Sequence, residues 1–191
     1  IVEFMNHKGI DQAILMGHSM GGPMVTAVSR FHPNRIHALV LISTVGAQQY
    51  RVFRKSKPRW GHTLINLPLI GGLFKPLITF VFRKLGFPKG ISSKAMFYVL
   101  HCATDFSFRE NALNMKLLTQ PVLNIWSAND PFVEPELFEE VEGIIPNCTR
   151  LSFESGGHNP QRTEAETVAK TFREWLTRNY STANRNTETN S

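Results

Sequence analysis

The sequence predicts an α/β fold with a parallel sheet, and three observations carry that reading. Two apolar runs, Ile10–Met16 and Ile36–Ser43, are continuous enough to be strands buried on both faces. Between them Met20–Phe31 carries Met24, Val25, Val28 and Phe31 at helical spacing and is closed by His32-Pro33. Strand, helix and strand within about thirty residues is the unit from which parallel sheets are built. The third observation sits at the first strand–helix turn, Gly17-His18-Ser19-Met20-Gly21, a G-x-S-x-G motif in strand–turn–helix context.

The other elements follow in order. The chain opens in what reads as a helix already under way, with Ile1, Val2 and Met5 on one face and Gly9 as its C-cap signal. From about Thr44 to Thr119 the strand–helix alternation stops. This stretch holds the basic segment Tyr50–Arg59 and the apolar run Leu64–Phe82. Pro68, Gly71, Gly72, Lys75 and Pro76 interrupt that run, whereas a membrane span needs about twenty apolar residues in a row. Alternation resumes with a strand at Pro121–Trp126 and a helix opened by Glu134-Pro135 and stopped by Gly143. A strand at Thr149–Phe153 follows. Thr163 to Glu166 has the form of a capping box. It precedes a helix whose apolar positions are Ala165, Val168, Ala169, Phe172, Trp175 and Leu176. After Tyr180 the tail lacks apolar anchors and reads as disordered. The expected organisation is thus core at 1–46, insertion at 47–118, core at 119–180 and tail at 181–191.

Composition narrows the function classes. With 191 residues and 42% apolar content the chain can bury one sizeable core. Cys102 and Cys148 give neither a disulfide framework nor metal-ligand spacing, and a reducing setting, cytoplasmic or at a membrane periphery, is expected. No phosphate loop or dinucleotide fingerprint is present, so no cofactor or metal is predicted. Net charge is +6, and no Asp or Glu lies between Gln12 and Thr104, against twelve Lys and Arg. No nucleic-acid motif accompanies those charges. An anionic membrane surface met through residues 51–94, or a negatively charged substrate, is the expectation that remains.

The chemistry centres on Ser19. A strained turn exposes its hydroxyl above the sheet, and Gly17 and Gly21 are read as the small residues that let strand and helix backbones pass closely. Met20, opening the helix, can offer its backbone N–H to an oxyanion. A serine needs a base, itself held by a carboxylate. His158, in the Gly156-Gly157 loop between the last strand and the last helix, is the candidate base. His7, His32 and His37 lie on the wrong side of their elements, and His62 and His101 lie in the insertion. His18 is fixed beside the serine and reads as packing.

Gly17-His18-Ser19-Met20-Gly21-Gly22, the run Trp126–Val133 and the run Gly156–Gln161 resemble the α/β-hydrolase family, in its order of serine, acid and histidine. The likeness extends from Ile1 to about Tyr180. It implies an α/β-hydrolase fold, a helical cap formed by the insertion, and lipase- or esterase-like cleavage of an apolar acyl ester. The family sometimes places its acid near Thr44, but no carboxylate exists there. Asp130 fits the usual place, Asp105 is a distant second, and Asp-Pro is also a common Asx turn or N-cap. Ser127 and Asn129 depart from the family's loop, which usually begins with Gly and carries paired acids.

The family's second oxyanion donor would come from a loop after an early strand. That loop and about half of the usual eight strands would lie upstream of Ile1. The chain is therefore expected to be the C-terminal part of a serine hydrolase, with the N-terminal strands missing and an apolar strand edge left unpaired. Ester, thioester and amide hydrolysis and acyl transfer all stay open. So does a different class of function, a catalytically silent form that binds lipid or protein through the basic, apolar insertion.

Overall fold

The computed structural model describes residues 1–51, 54, 63, 66, 67, 71–84, 90 and 92–188. In chain order the elements are α1 (Val2–His7), β1 (Ala13–His18), α2 (Gly21–Phe31), a 3-10 turn (Pro33–Arg35) and β2 (Ile36–Ile42). There follow α3 (Gly71–Lys84), α4 (Ser93–Asp105), α5 (Phe108–Lys116), β3 (Val122–Ser127), α6 (Pro135–Ile144), β4 (Cys148–Phe153), α7 (Pro160–Thr163) and α8 (Ala165–Glu188). The chain forms two compact units: Ile1–Gln48 with Phe108–Ser191, and Gln49–Ser107.

The first unit is built on a four-stranded parallel sheet in the order β1-β2-β3-β4. Its core lies on both faces of that sheet. On one face Leu39, Leu41 and Val122 pack with Met5, Val25, Met115 and Val141, contributed by α1, α2, α5 and α6. On the other, Ala38, Val40, Ile42, Leu123 and Ile125 pack with Trp175 of α8. Successive strand residues point to opposite faces, yet Ile36 joins Leu39 and Leu41 rather than Ala38. The register shift between Ala13 and Ile14, which pair with Ile36 and Ala38, skips His37 and accounts for the change of face. Every residue of β3 is buried, as a strand covered by helices on both sides requires.

Several local expectations are corrected. Met24 and Phe31 of α2 are each 61% exposed, and the buried positions are Gly22, Pro23, Val25, Thr26 and Ser29. Gly143 lies inside α6, which ends one residue later. Thr163 does not cap α8: its hydroxyl donates to Gly156 O (2.9 Å) and Asn159 O (3.3 Å), and the separate turn α7 ends there. The helix read as ending at Tyr180 continues to Glu188, across residues expected to be disordered. Once a helix is nucleated, each added residue gains a backbone hydrogen bond, so polar residues can extend it.

Glu142 ties α6 to the sheet. Its Oε1 accepts from Trp126 Nε1 (2.7 Å) and Asn124 Nδ2 (3.2 Å), and its Oε2 from Arg150 Nε (2.6 Å). Burial, reinforced by Glu142, pushes the neighbouring Cys148 thiol up to about 12. That thiol is held in its neutral form and serves packing.

β1 is an edge strand of this sheet, with Met16 54% exposed. Among the described residues no strand pairs with its outer side. α1 and α2 beside it also expose Ile1, Phe4, Met24 and Phe31. An apolar edge of this kind is the feature soluble sheets ordinarily cover.

In the second unit α3 carries Pro76 within it, and Ser92 caps α4 by accepting from Ala95 N (3.2 Å). Most of the basic segment 50–59, most of the run 64–70, and Lys89 lie outside the described residues. Among the described residues no helix is long and apolar enough to cross a membrane. α5, read from sequence as part of the insertion, falls in the first unit, where Asn111 Nδ2 donates to Val45 O (3.1 Å) and Gly46 O (2.8 Å).

At the strand–helix corner a Cβ on Gly17 would meet Gly21 O at 2.6 Å and Gly22 Cα at 2.8 Å, while one on Gly21 would meet nothing within 4 Å. Gly21 is thus not the tight position its place in the motif suggests; Gly22 is, since its Cβ would fall 1.6 Å from Thr44 Oγ1. Gly17→Ala should therefore destabilise the first unit by about 1–3 kcal/mol, the usual cost of overpacking, and Gly21→Ala should be near neutral. Urea unfolding of both variants beside the parent chain measures the difference.

Candidate active site

Ser19 follows β1 directly and has φ +52°, in the left-handed region that costs a non-glycine residue roughly 1–2 kcal/mol. Its own hydrogen bonds fix that conformation. Ser19 N donates to Ile42 O (2.9 Å), and Ser19 O accepts from Gly22 N (3.0 Å), Val45 N (3.4 Å) and Thr44 Oγ1 (3.4 Å). Strained backbone persists only when surroundings over-determine it in this way. Met20 is the N-cap of α2, so its N–H belongs to the end of the helix where amides lack intrahelical acceptors.

Asp130 lies past the end of β3 and is 4% exposed. Its two oxygens have different partners. Oδ1 accepts from Phe132 N (2.8 Å) and Val133 N (3.2 Å), an Asx turn, while Oδ2 accepts from His158 Nδ1 at 2.7 Å. A carboxylate only accepts, so Nδ1 carries the hydrogen and the neutral imidazole keeps Nε2 as its acceptor. His158 Nε2 has no hydrogen-bond partner among the described residues, and the Phe132 ring meets the imidazole edge-on at 4.8 Å between centroids.

The structure thus brings Asp130 and His158 into direct contact. Among the described residues no hydrogen bond joins the Ser19 hydroxyl to His158; such bonds are often loose until substrate is bound. The link between the elbow and the histidine loop runs instead through His18, whose Nε2 lies 2.8 Å from His158 O. The rings of His18 and His158 are 4.9 Å apart. Asn129, read as a mere departure from the family pattern, accepts from Gly156 N (3.0 Å) and Gly157 N (2.8 Å) with Oδ1. Two consecutive glycine amides ahead of a histidine do call for an acceptor, but the sequence does not say which. Among the described residues no group of His, Cys, Asp and Glu could hold a metal ion.

The division of labour at Asp130 has a measurable consequence. Asp130→Ala strands two backbone N–H groups and should cost about 1–3 kcal/mol. Asp130→Asn keeps an oxygen for them and should cost clearly less. Denaturant midpoints of the two variants read the difference.

A family model described as the alpha/beta hydrolase fold matches residues 1–68. Lipase 3 of Moraxella sp. is 28% identical over 91% of this chain and 60% of its own length. The 2-hydroxymuconate semialdehyde hydrolase of Pseudomonas putida is 26% identical over 88% of this chain and 63% of its own length. Among solved structures, an alpha/beta hydrolase enzyme from a lagoon-sediment metagenome of Mar Chica, Morocco, superposes with a TM-score of 0.62. It is 20% identical and is matched over 93% of this chain and 66% of its own. The chain therefore spans about three fifths of the length of the curated relatives it matches. The parallel sheet, the strand–turn–helix corner and the likeness to these proteins together give the chain an α/β-hydrolase fold.

Proposed function

We propose that this chain carries the catalytic groups of a serine hydrolase that cleaves an apolar acyl ester, with Ser19 as nucleophile, His158 as base and Asp130 as its orienting acid. The observation that carries the reading is the His158–Asp130 hydrogen bond, which fixes the imidazole in the tautomer a general base needs. Ser19 Oγ adds to the ester carbonyl and its proton passes to His158 Nε2. The Met20 N–H donates to the resulting oxyanion. Collapse breaks the bond to the alcohol oxygen, which takes the proton from His158, and leaves Ser19 acylated. Water, deprotonated by His158, then adds to the acyl-enzyme. Collapse breaks the acyl bond to Ser19 Oγ, which takes that proton back from His158, and the carboxylic acid leaves. No cofactor or metal enters this scheme. The name of the Moraxella relative supports an ester substrate, and the Phe- and Leu-rich residues 47–118, proposed as a cap, support an apolar acyl group.

The experiment is labelling of the full chain with a fluorophosphonate, which reacts with activated serines. The expected result is modification at Ser19, abolished in both Ser19→Ala and His158→Ala. A folded chain that takes no label would sink the catalytic assignment.

A second reading is favoured by the distribution of charge. Residues 49–107 hold ten Lys and Arg against one Asp, a net +9, whereas the first unit is net −3. Within the second unit a groove of about 430 Å³ is lined by Lys75, Thr79, Arg83, Phe80 and Phe97, with no acid among its lining residues. Cations interleaved with aromatic rings suit an anionic lipid surface. In this reading the chain binds such a surface, whether or not it turns over substrate. The full chain should bind vesicles containing phosphatidylserine and be released as salt is raised. Replacing Lys75 and Arg83 together by Gln should weaken binding roughly thirtyfold, at about 1 kcal/mol per charge. Equal binding to neutral vesicles would argue against it.

A further inference from the structure

We propose that His18 and Asn129 are positioning residues, a two-point clamp on the backbone of the Gly156–His158 loop that sets where His158 Nε2 stands relative to Ser19. The proposal rests on the hydrolase reading above and concerns residues to which that reading gives no role.

The loop needs holding. Two adjacent glycines have more backbone freedom to lose than any other pair, and Gly157 sits at φ +64°. Unrestrained, such a segment would let the imidazole swing about its one bond to Asp130. Asn129 Oδ1 takes both glycine amides, at 3.0 and 2.8 Å. Thr163 Oγ1 donates to Gly156 O at 2.9 Å. A Cβ on Gly156 would fall 2.4 Å from Ser127 Oγ, so the loop backbone is seated close against the end of β3. His18 Nε2 reaches the carbonyl of His158 itself, at 2.8 Å. A carbonyl can only accept, so the His18 Nε2 carries the hydrogen here.

The positions of the two clamp residues carry the argument furthest. His18 immediately precedes Ser19, and Asn129 immediately precedes Asp130. In each pair the second residue is the one assigned to the chemistry and the first grips the main chain of the histidine loop. Nucleophile, acid and base are thereby referred to one another through backbone a single residue away, with no long side chain between. The imidazole is further confined between rings, His18 at 4.9 Å and Phe132 at 4.8 Å. Loss of such positioning acts on rate steeply, since misplacing a reacting group by about 1 Å can cost a hundredfold.

The test uses the full chain with ¹⁵N-labelled histidine and two readouts. One is the downfield Nδ1–H resonance of His158, assigned by its disappearance in His158→Gln. The other is the second-order rate constant for fluorophosphonate labelling. His18→Leu and Asn129→Ala should each broaden or shift that resonance and slow labelling at least tenfold. His18→Gln, which keeps an amide N–H near the place of Nε2, should recover labelling to within about threefold of the parent, a rescue that a packing role would not give. Unchanged resonance and rate in His18→Leu and Asn129→Ala would overturn the clamp, as would a parent chain without the resonance. Asn129 is exposed, so Asn129→Ala decides the matter if His18→Leu does not fold. A folded parent that shows the resonance but takes no label overturns the hydrolase reading instead. The clamp is then judged by the resonance alone: lost in Asn129→Ala it stands, kept it falls.

Discussion

The close passage of two backbones at the first strand–helix corner is the constraint on which the rest of the site depends. Gly17 lies so near the carbonyl of Gly21 and the Cα of Gly22 that even a methyl group would collide with main chain. That contact forces the turn between them to be sharp, and the sharpness puts Ser19 at φ +52°. The strain of roughly 1–2 kcal/mol is offset by four hydrogen bonds on the Ser19 main chain, each worth about 0.5–1.5 kcal/mol net. Three of them reach β2 or the residues just past it. The conformation of one serine is thus fixed by the neighbouring strand, and a serine on an isolated hairpin could not be held so.

The same device recurs one strand over. Ser43, just past β2, has φ +43°, and its N–H donates to Ile125 O of β3 at 2.8 Å. The left-handed turn at the end of β1 leans on β2, and the one at the end of β2 leans on β3. A parallel sheet makes this possible because successive strands run toward the same edge, where His18 pairs with Ile42 and Ile42 with Ile125. Functional loops gather at that edge, and here each is also braced by the next.

Much of this was legible in the sequence, and the limits are physical. Long apolar runs mark strands composed for an interior, so β1, β2 and β3 could be placed to within two or three residues. β1, however, expected to be buried on both faces, is an edge strand with Met16 exposed. Ser19, Asp130 and His158 stood out by residue type and by the glycines or proline beside them, and the structure joins Asp130 to His158. Side-chain partners across long separations left no such trace. His18 and His158 are 140 positions apart, and nothing in the local pattern distinguishes a histidine that packs from one that grips a carbonyl. Thr163 shows the converse. Its spacing to Glu166 fits a capping box, but two carbonyls, Gly156 O and Asn159 O, took its hydroxyl hydrogen, and a separate turn formed. Helical periodicity also misled at α2, because Met24 and Phe31 are apolar yet face away from the described core.

That last discrepancy connects with the edge of the sheet. An apolar residue on a helix is usually read as evidence of a partner, and that partner need not lie among the described residues. Met24 and Phe31 on α2, Phe4 on α1 and Met16 on β1 are each more than half exposed, and each belongs to β1 or to a helix beside it. Fully burying side chains of this size is worth about 1.5–3 kcal/mol each. Covering the four would therefore gain several kcal/mol, comparable with the whole net stability of a typical domain. On the opposite edge β4 alternates half-buried and exposed positions and includes Arg150, Ser152 and Thr149, the pattern of a strand meant to face water. The asymmetry between the two edges was written into the residues: one strand is composed for solvent and the other for an interior. Whatever covers β1 would also brace the elbow that β1 delivers, so stability and the geometry of Ser19 would rise together.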